Sequence, residues 1–139
     1  MEATLNNWEN SLYRFIRINL EKVPVNNTFL NQTLISCEEI YANILEHAYT
    51  TEKLGKVEIL FESDKKNIKI TFIDEGATFN PLSFSRIKLN LNTSERKTGG
   101  WGISIVKKFM DKVEYEYKNK KNFLIITKFL KEGGKQDGS

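Results

Sequence analysis

Residues 33–49 read TLISCEEIYANILEHAY, and two patterns are superimposed in them. Leu34, Cys37, Tyr41, Ile44 and Ala48 recur at steps of three and four, which on a 3.6-residue turn draws one apolar stripe facing a core. Beside the stripe run Glu39, Asn43 and His47 at steps of four, so a carboxylate, an amide and an imidazole share one row on its flank. Asn is a poor helix former, roughly half a kcal/mol worse than Ala, because its amide competes for the backbone. Asn43 in mid-helix therefore asks for a reason, and metal or phosphate ligation would be one. A solvated helix flank produces the same polar row, so this helix needs companions elsewhere in the chain.

The bounds set by composition are those of an ordinary globular domain. A chain of 139 residues, 40% hydrophobic and 28% charged, fits a single core rather than two, and is too apolar for a disordered chain. We expect one domain over residues 1–131 and a polar, glycine-rich tail over 132–139. No apolar run approaches the roughly 20 residues that span a bilayer, and no basic segment leads into an apolar one at the N-terminus, so a cytoplasmic protein without membrane contact is expected. A net charge of +3 with no basic stripe interleaved with aromatics gives no support for nucleic-acid binding. The single Cys37 and single His47 exclude both an internal disulfide and a zinc site of the usual kind; Cys37, on the apolar stripe, reads as a buried thiol.

Around the central helix, whose periodicity predicts residues 28–47 with Asn26, Asn27 or Thr28 as cap, the remaining elements fall into place. Leu5, Trp8, Leu12, Phe15 and Ile16 predict a first amphipathic helix over 6–21, ended by Val23-Pro24. Arg14 and Arg17 lie on its other side, as solvated charges or as a partner contact. Residues 56–62 and 67–73 are two β-rich runs separated by Ser63-Asp64-Lys65-Lys66, the pattern of an antiparallel hairpin, with Ile68, Ile70 and Phe72 on its buried face. Residues 113–117 and 123–130 predict a second hairpin around 118–122.

Two loops sit between the hairpins. The first hairpin delivers the chain into Asp74-Glu75-Gly76, which read by itself is a turn in which Asp bonds its own backbone. Residues 82–97 show no clear period and carry Arg86, Lys88, Arg96 and Lys97; a loop of that length in a compact domain is commonly a lid or a binding segment. Then Thr98-Gly99-Gly100-Trp101-Gly102 runs into Ile103, Val106, Phe109 and Met110 at helical spacing. Glycines cost about 1 kcal/mol each inside a helix, so these open the helix rather than belong to its interior. Bare N–H groups at a helix N-terminus cradle anions, and a flexible connector is the competing reading.

Helix with Glu39 and Asn43, strand ending in Asp74-x-Gly76, basic loop, then glycine-rich helix start: this ordered set resembles the Bergerat-fold (GHKL) ATP-binding superfamily of gyrase, histidine kinases and MutL. EEIYANILEHAY stands where that superfamily has its N box, DEGATFNP its G1 box and TGGWGISIV its G2 box. Within it, the chain is most similar to the small anti-sigma factor serine-protein kinases of the RsbW and SpoIIAB type, from about Leu5 to Leu130. The resemblance implies an α+β two-layer sandwich, about three helices packed on one face of a mixed, mostly antiparallel sheet. It also implies ATP and Mg²⁺: Asn43 on the ion, Glu39 as the base that orients or deprotonates the attacking hydroxyl, and Asp74 accepting from the adenine amine over the floor at Gly76. Gly99, Gly100 and Gly102 would face the phosphates with Thr98 as a further donor, and Arg96 or Lys97 would neutralise γ-phosphate charge or remain solvated. His47 matches a family His and reads as structural.

Two departures from the family pattern follow. Family members carry a β-strand before the first helix, whereas here only residues 1–5 are available, so the strand is expected to be missing or stunted and the expected homodimer surface is in doubt with it. Trp101 stands between glycines where an aliphatic residue is usual. By resemblance, the function is a serine-protein kinase that phosphorylates a STAS-type antagonist and sequesters a sigma factor. The alternative is an ATP- or ADP-gated binding switch without turnover, which would tolerate loss of Glu39.

Overall fold

The computed structural model describes residues 2–6, 11–44, 57–76, 78, 80, 82 and 100–130. In chain order these form β1 (Glu2–Asn6), α1 (Leu12–Leu20), α2 (Asn27–Asn43), β2 (Val57–Ser63), β3 (Asn67–Asp74), α3 (Gly100–Phe109), β4 (Lys112–Lys118) and β5 (Lys121–Phe129). The strands make one five-stranded sheet in the order β1-β2-β3-β5-β4. Every pairing among the described residues is antiparallel, so the expected mixed sheet is more uniform than the resemblance implied.

The first strand is the clearest correction. Residues 2–6 have no periodic pattern, yet they pair residue for residue with β2, from Glu2 opposite Glu62 to Asn6 opposite Glu58. An edge strand is held by ladder hydrogen bonds to its neighbour, which a pattern of side chains does not report. Leu5, expected in the first helix, therefore lies in β1, and α1 begins at Leu12; Trp8 lies outside the described residues.

Period-two burial decides which face of the sheet meets the helices. Val57, Ile59 and Phe61 on β2 stand opposite Asp74, Phe72 and Ile70 on β3, and β3 in turn sets Ile70 against Ile126 and Phe72 against Leu124 on β5. All of these side chains are buried, while Lys69, Lys112, Glu114 and Glu116 on the other face are exposed. Onto the apolar face α1 lays Leu12, Ile16 and Leu20, α2 lays Phe29, Leu34, Cys37, Ile40 and Ile44, and α3 lays Ile103, Val106 and Met110, all in one core. Each full burial contributes about 1.5–3 kcal/mol, and this common face rather than helix propensity holds the two layers together.

Local chemistry sets the ends of the elements. Asn26 caps α2 by accepting from the Phe29 N–H at 2.8 Å. At the β2–β3 turn the Asp64 carboxylate accepts from the N–H groups of Lys66 at 2.7 Å and Asn67 at 2.9 Å. The second hairpin turns in two residues, Asn119 and Lys120, both at positive φ of 52° and 62°, the left-handed pair that a tight hairpin requires. Cys37 is fully buried, as expected, and burial pushes its thiol well above the ordinary range. No helix among the described residues is long and apolar enough to cross a membrane.

Candidate functional site

The two ends of the sandwich can be told apart by Lys128. Its ammonium donates to the Gln32 Oε1 at 3.0 Å and to the Phe109 carbonyl at 2.6 Å, which pins the C-terminal end of α3 beside the first half of α2. The two helices pack directly on each other. From the Lys128 pin α2 runs on to Asn43, and α3, which ends at Phe109, leads back to Gly100. At 1.5 Å per residue, the distance from Phe109 back to Gly100 is about 14 Å and from Gln32 on to Asn43 about 16 Å. In the sheet, Lys128 pairs with Ile68 at the same end, while Asp74 and Asn122 form the rung some 20 Å away along β3. Asn43 on α2 and the Asp74–Asn122 rung of the sheet thus both lie away from Lys128, and Gly100 is the end of α3 away from it.

Asn43 is 1% exposed, and among the described residues neither its amide oxygen nor its amide nitrogen has a hydrogen-bond partner. A solvated flank is excluded by that burial. Leaving a buried amide unsatisfied costs about 1–3 kcal/mol, and native structures keep few such groups without a reason. Glu39 precedes it by one turn on α2 and is half-buried. Gly100 and Gly102 both fall in the first turn of α3, confirming that the glycines open this helix; its early N–H groups lack intrahelical carbonyls.

Asp74 is the last residue of β3 and is 3% exposed. The Asp-x-Gly turn forms, with the Gly76 N–H donating to Asp74 Oδ1 at 2.9 Å. A turn alone would not need burial, however, and here burial raises the carboxyl above its ordinary pKa, opposed by the bonds from Asn122 and Gly76. The Asn122 side chain donates from Nδ2 to the same Oδ1 at 2.9 Å and lies 3.5 Å from the Gly76 carbonyl.

Asn122 is the residue that sequence reasoning missed, because residues 118–122 were assigned to the turn. A signal was present: Asn122 is in phase with the buried Leu124 and Ile126 on β5, so it projects inward at the level of Asp74. Of the other expected site residues, Arg96, Lys97, Thr98 and Gly99 lie outside the described residues, as does His47.

Residues 1–128 match the model of the histidine kinase-like ATPase domain. Over 99 residues the chain is 24% identical to the serine/threonine-protein kinase BtrW of Bordetella bronchiseptica, covering 70% of each chain. In fold it is similar to the catalytic domain of the histidine kinase ThkA, with a TM-score of 0.53 at 17% identity over 91% of this chain and 95% of that one. The ordered pieces legible in the sequence, the helix-on-sheet sandwich and the family match agree: this chain belongs to the histidine kinase-like ATPase domain family, an ATP-binding, kinase-like domain.

Proposed function

We propose that the protein is an ATP-dependent serine-protein kinase that binds Mg-ATP and phosphorylates a STAS-type antagonist protein, and that it also captures a sigma factor, acting as a homodimer. The observation that carries this reading is the buried amide of Asn43, without a partner among the described residues, one turn beyond Glu39 on the helix that packs against the glycine-led α3.

The residues fit a nucleotide and its ion. Asn43 offers a hard oxygen donor, and Mg²⁺ takes few protein ligands, completing its shell with phosphate oxygens and water. The ion, when bound, offsets phosphate charge. Asp74 accepts from the exocyclic amine of adenine, with Gly76 leaving the adjoining floor without a Cβ. The N–H groups of Gly99, Gly100 and Gly102 donate to phosphate oxygens at the positive end of α3, joined by the Thr98 hydroxyl. Arg96 and Lys97 neutralise charge on the γ-phosphate. Glu39 orients the serine hydroxyl of the antagonist and takes its proton as the oxygen attacks the γ-phosphorus, whose bond to the bridging oxygen of the β-phosphate breaks to release ADP. The BtrW likeness supports a serine or threonine acceptor. Arg14 and Arg17, exposed on α1, are available to a partner; Arg17 is already aligned by the Tyr13 hydroxyl at 2.8 Å and by Glu21.

Calorimetric titration of ATP with and without Mg²⁺ into the wild type, Asp74→Asn and Asn43→Ala tests the site. Binding that weakens sharply in Asp74→Asn and loses its Mg²⁺ dependence in Asn43→Ala is expected. Transfer of the γ-phosphate to a STAS protein, abolished by Glu39→Gln, is expected for the kinase. Binding without any transfer would replace it with the nucleotide-gated switch, and no binding by the wild type would overturn both.

A further inference from the structure

The bonds around Asn122 have a direction that chemistry fixes. Asp74 as a carboxylate and the Gly76 carbonyl can only accept, so the Asn122 NH₂ must face both, at 2.9 and 3.5 Å. Its Oδ1 must then face the Tyr115 hydroxyl, which donates to it. Tyr115 reaches Asn122 diagonally across the β4–β5 ladder, since Tyr115 pairs with Leu124 and Asn122 with Tyr117. The relay Tyr115 to Asn122 to Asp74 therefore has one polarity: hydroxyl donates to amide oxygen, and amide nitrogen donates to carboxylate. An amide turned the other way would set oxygen against oxygen at Asp74.

That polarity divides the two oxygens of Asp74. Both donors, the Gly76 N–H and the Asn122 amide, reach Oδ1, and among the described residues none reaches Oδ2. A carboxylate whose Oδ1 is filled twice remains an acceptor and presents Oδ2 to whatever donor arrives. Asn122 and Asp74 are each 3% exposed, so water competes little for these bonds.

We propose that Asn122, oriented by Tyr115, is a specificity-determining positioning residue: it holds Asp74 as an acceptor with Oδ2 open, and so selects purines with a 6-amino group over those with a 6-oxo group. This rests on the reading that Asp74 receives the nucleotide base. A 6-amino group donates to Oδ2, whereas a 6-oxo group brings an oxygen to an oxygen. Discrimination of this kind is strong where a buried polar group would be left facing a like partner.

The test is titration of ADP and IDP, which differ at that position, into the wild type, Asn122→Leu and Tyr115→Phe, with thermal shift as a second readout. The wild type is expected to prefer ADP by at least a hundredfold. In Asn122→Leu, ADP affinity falls about tenfold while IDP affinity holds or rises, so the preference shrinks by tenfold or more. Tyr115→Phe, which keeps the ring and removes only the donor, shrinks it two- to fivefold and carries the test if Asn122→Leu does not fold. A merely structural role for Asn122 would weaken both nucleotides alike, and an unchanged ADP-to-IDP ratio in both variants overturns the inference while leaving the ATP site intact. A wild type that binds neither nucleotide overturns the ATP reading and the inference with it.

Discussion

At one end of the sandwich Lys128 sends its ammonium to Gln32 and to the Phe109 carbonyl, with the Phe29 ring 5.1 Å away; away from it along α2, Asn43 is buried and, among the described residues, neither amide atom is bonded. Lys128 reaches α2 from the sheet, and Asn43 is the last residue of that same helix. At the Lys128 end the chain supplies acceptors for its own half-buried cation, and α2, α3 and β5 are tied together by the result. At the Asn43 end the chain stops short, and Asp74 takes both its donors on one oxygen. Closed valences contribute stability, whereas open ones cost stability and are available to a ligand. Polar residues removed from the two ends should therefore act with opposite sign on the fold.

The largest effect is expected from Asp74→Asn. Loss of the charge-assisted acceptor should weaken ADP and ATP by about 2–3 kcal/mol, roughly 30- to 150-fold. The melting temperature without nucleotide should not fall, because burial raises the folded pKa of Asp74 and an isosteric amide removes a charge that the fold disfavours. Calorimetry and thermal melting on one preparation check both halves. A fall of several degrees would place Asp74 with the closed end and break the comparison. Asn43→Leu should come next: replacing an unpartnered buried amide by an apolar side chain of similar volume should raise stability by about 1–3 kcal/mol in urea unfolding, while the Mg²⁺ dependence of ATP binding disappears. Lys128→Met, at the closed end, should lower stability by about 1–2 kcal/mol through the two lost hydrogen bonds and leave nucleotide affinity unchanged.

How legible these ends were follows from what each residue's neighbours are. The central helix was readable over most of its length because Leu34, Cys37 and Ile44 mark it at helical spacing, and α2 with Ile44 indeed buries them. Both hairpins were readable within two residues for the same reason, their alternation being local. The N-terminal strand was not, because β1 is specified by β2, more than fifty residues away. Asn122 and Lys128 escaped for a related reason. Each sits on the inward phase of β5 among Leu124 and Ile126, but a polar residue is read as inward only when its partner across the sheet is known. Asn43 lay between the two cases: the helix placed it, but only the packed structure showed its amide buried and unbonded.

The smallest expected effect separates two turns of the same design. Asp64 and Asp74 each accept backbone N–H bonds from the residues that follow, Asp64 from Lys66 and Asn67 and Asp74 from Gly76. Asp64 is exposed, so its backbone bonds dominate and hold its pKa below the ordinary carboxylate value. Asp74 is buried, so desolvation dominates and its pKa is raised. The signs of their pH linkage are therefore opposite. Asp64 contributes stability that is present above its unfolded pKa and is lost as pH falls through its lower folded value. Asp74 imposes a cost that is present above its raised folded pKa and is relieved as pH falls from there towards the unfolded one. Melting temperatures of the wild type, Asp64→Asn and Asp74→Asn between about pH 3 and 7 measure this, since each amide keeps the accepting oxygen and removes only the titration. The difference between wild type and Asp64→Asn should grow more favourable to the wild type as pH rises, and the difference with Asp74→Asn less favourable. Over the same descent in pH the wild type should lose its stabilisation by ADP as Asp74 takes up a proton. Parallel slopes for the two variants would mean that burial does not distinguish the turns, and that Asp74 is a turn residue and nothing more.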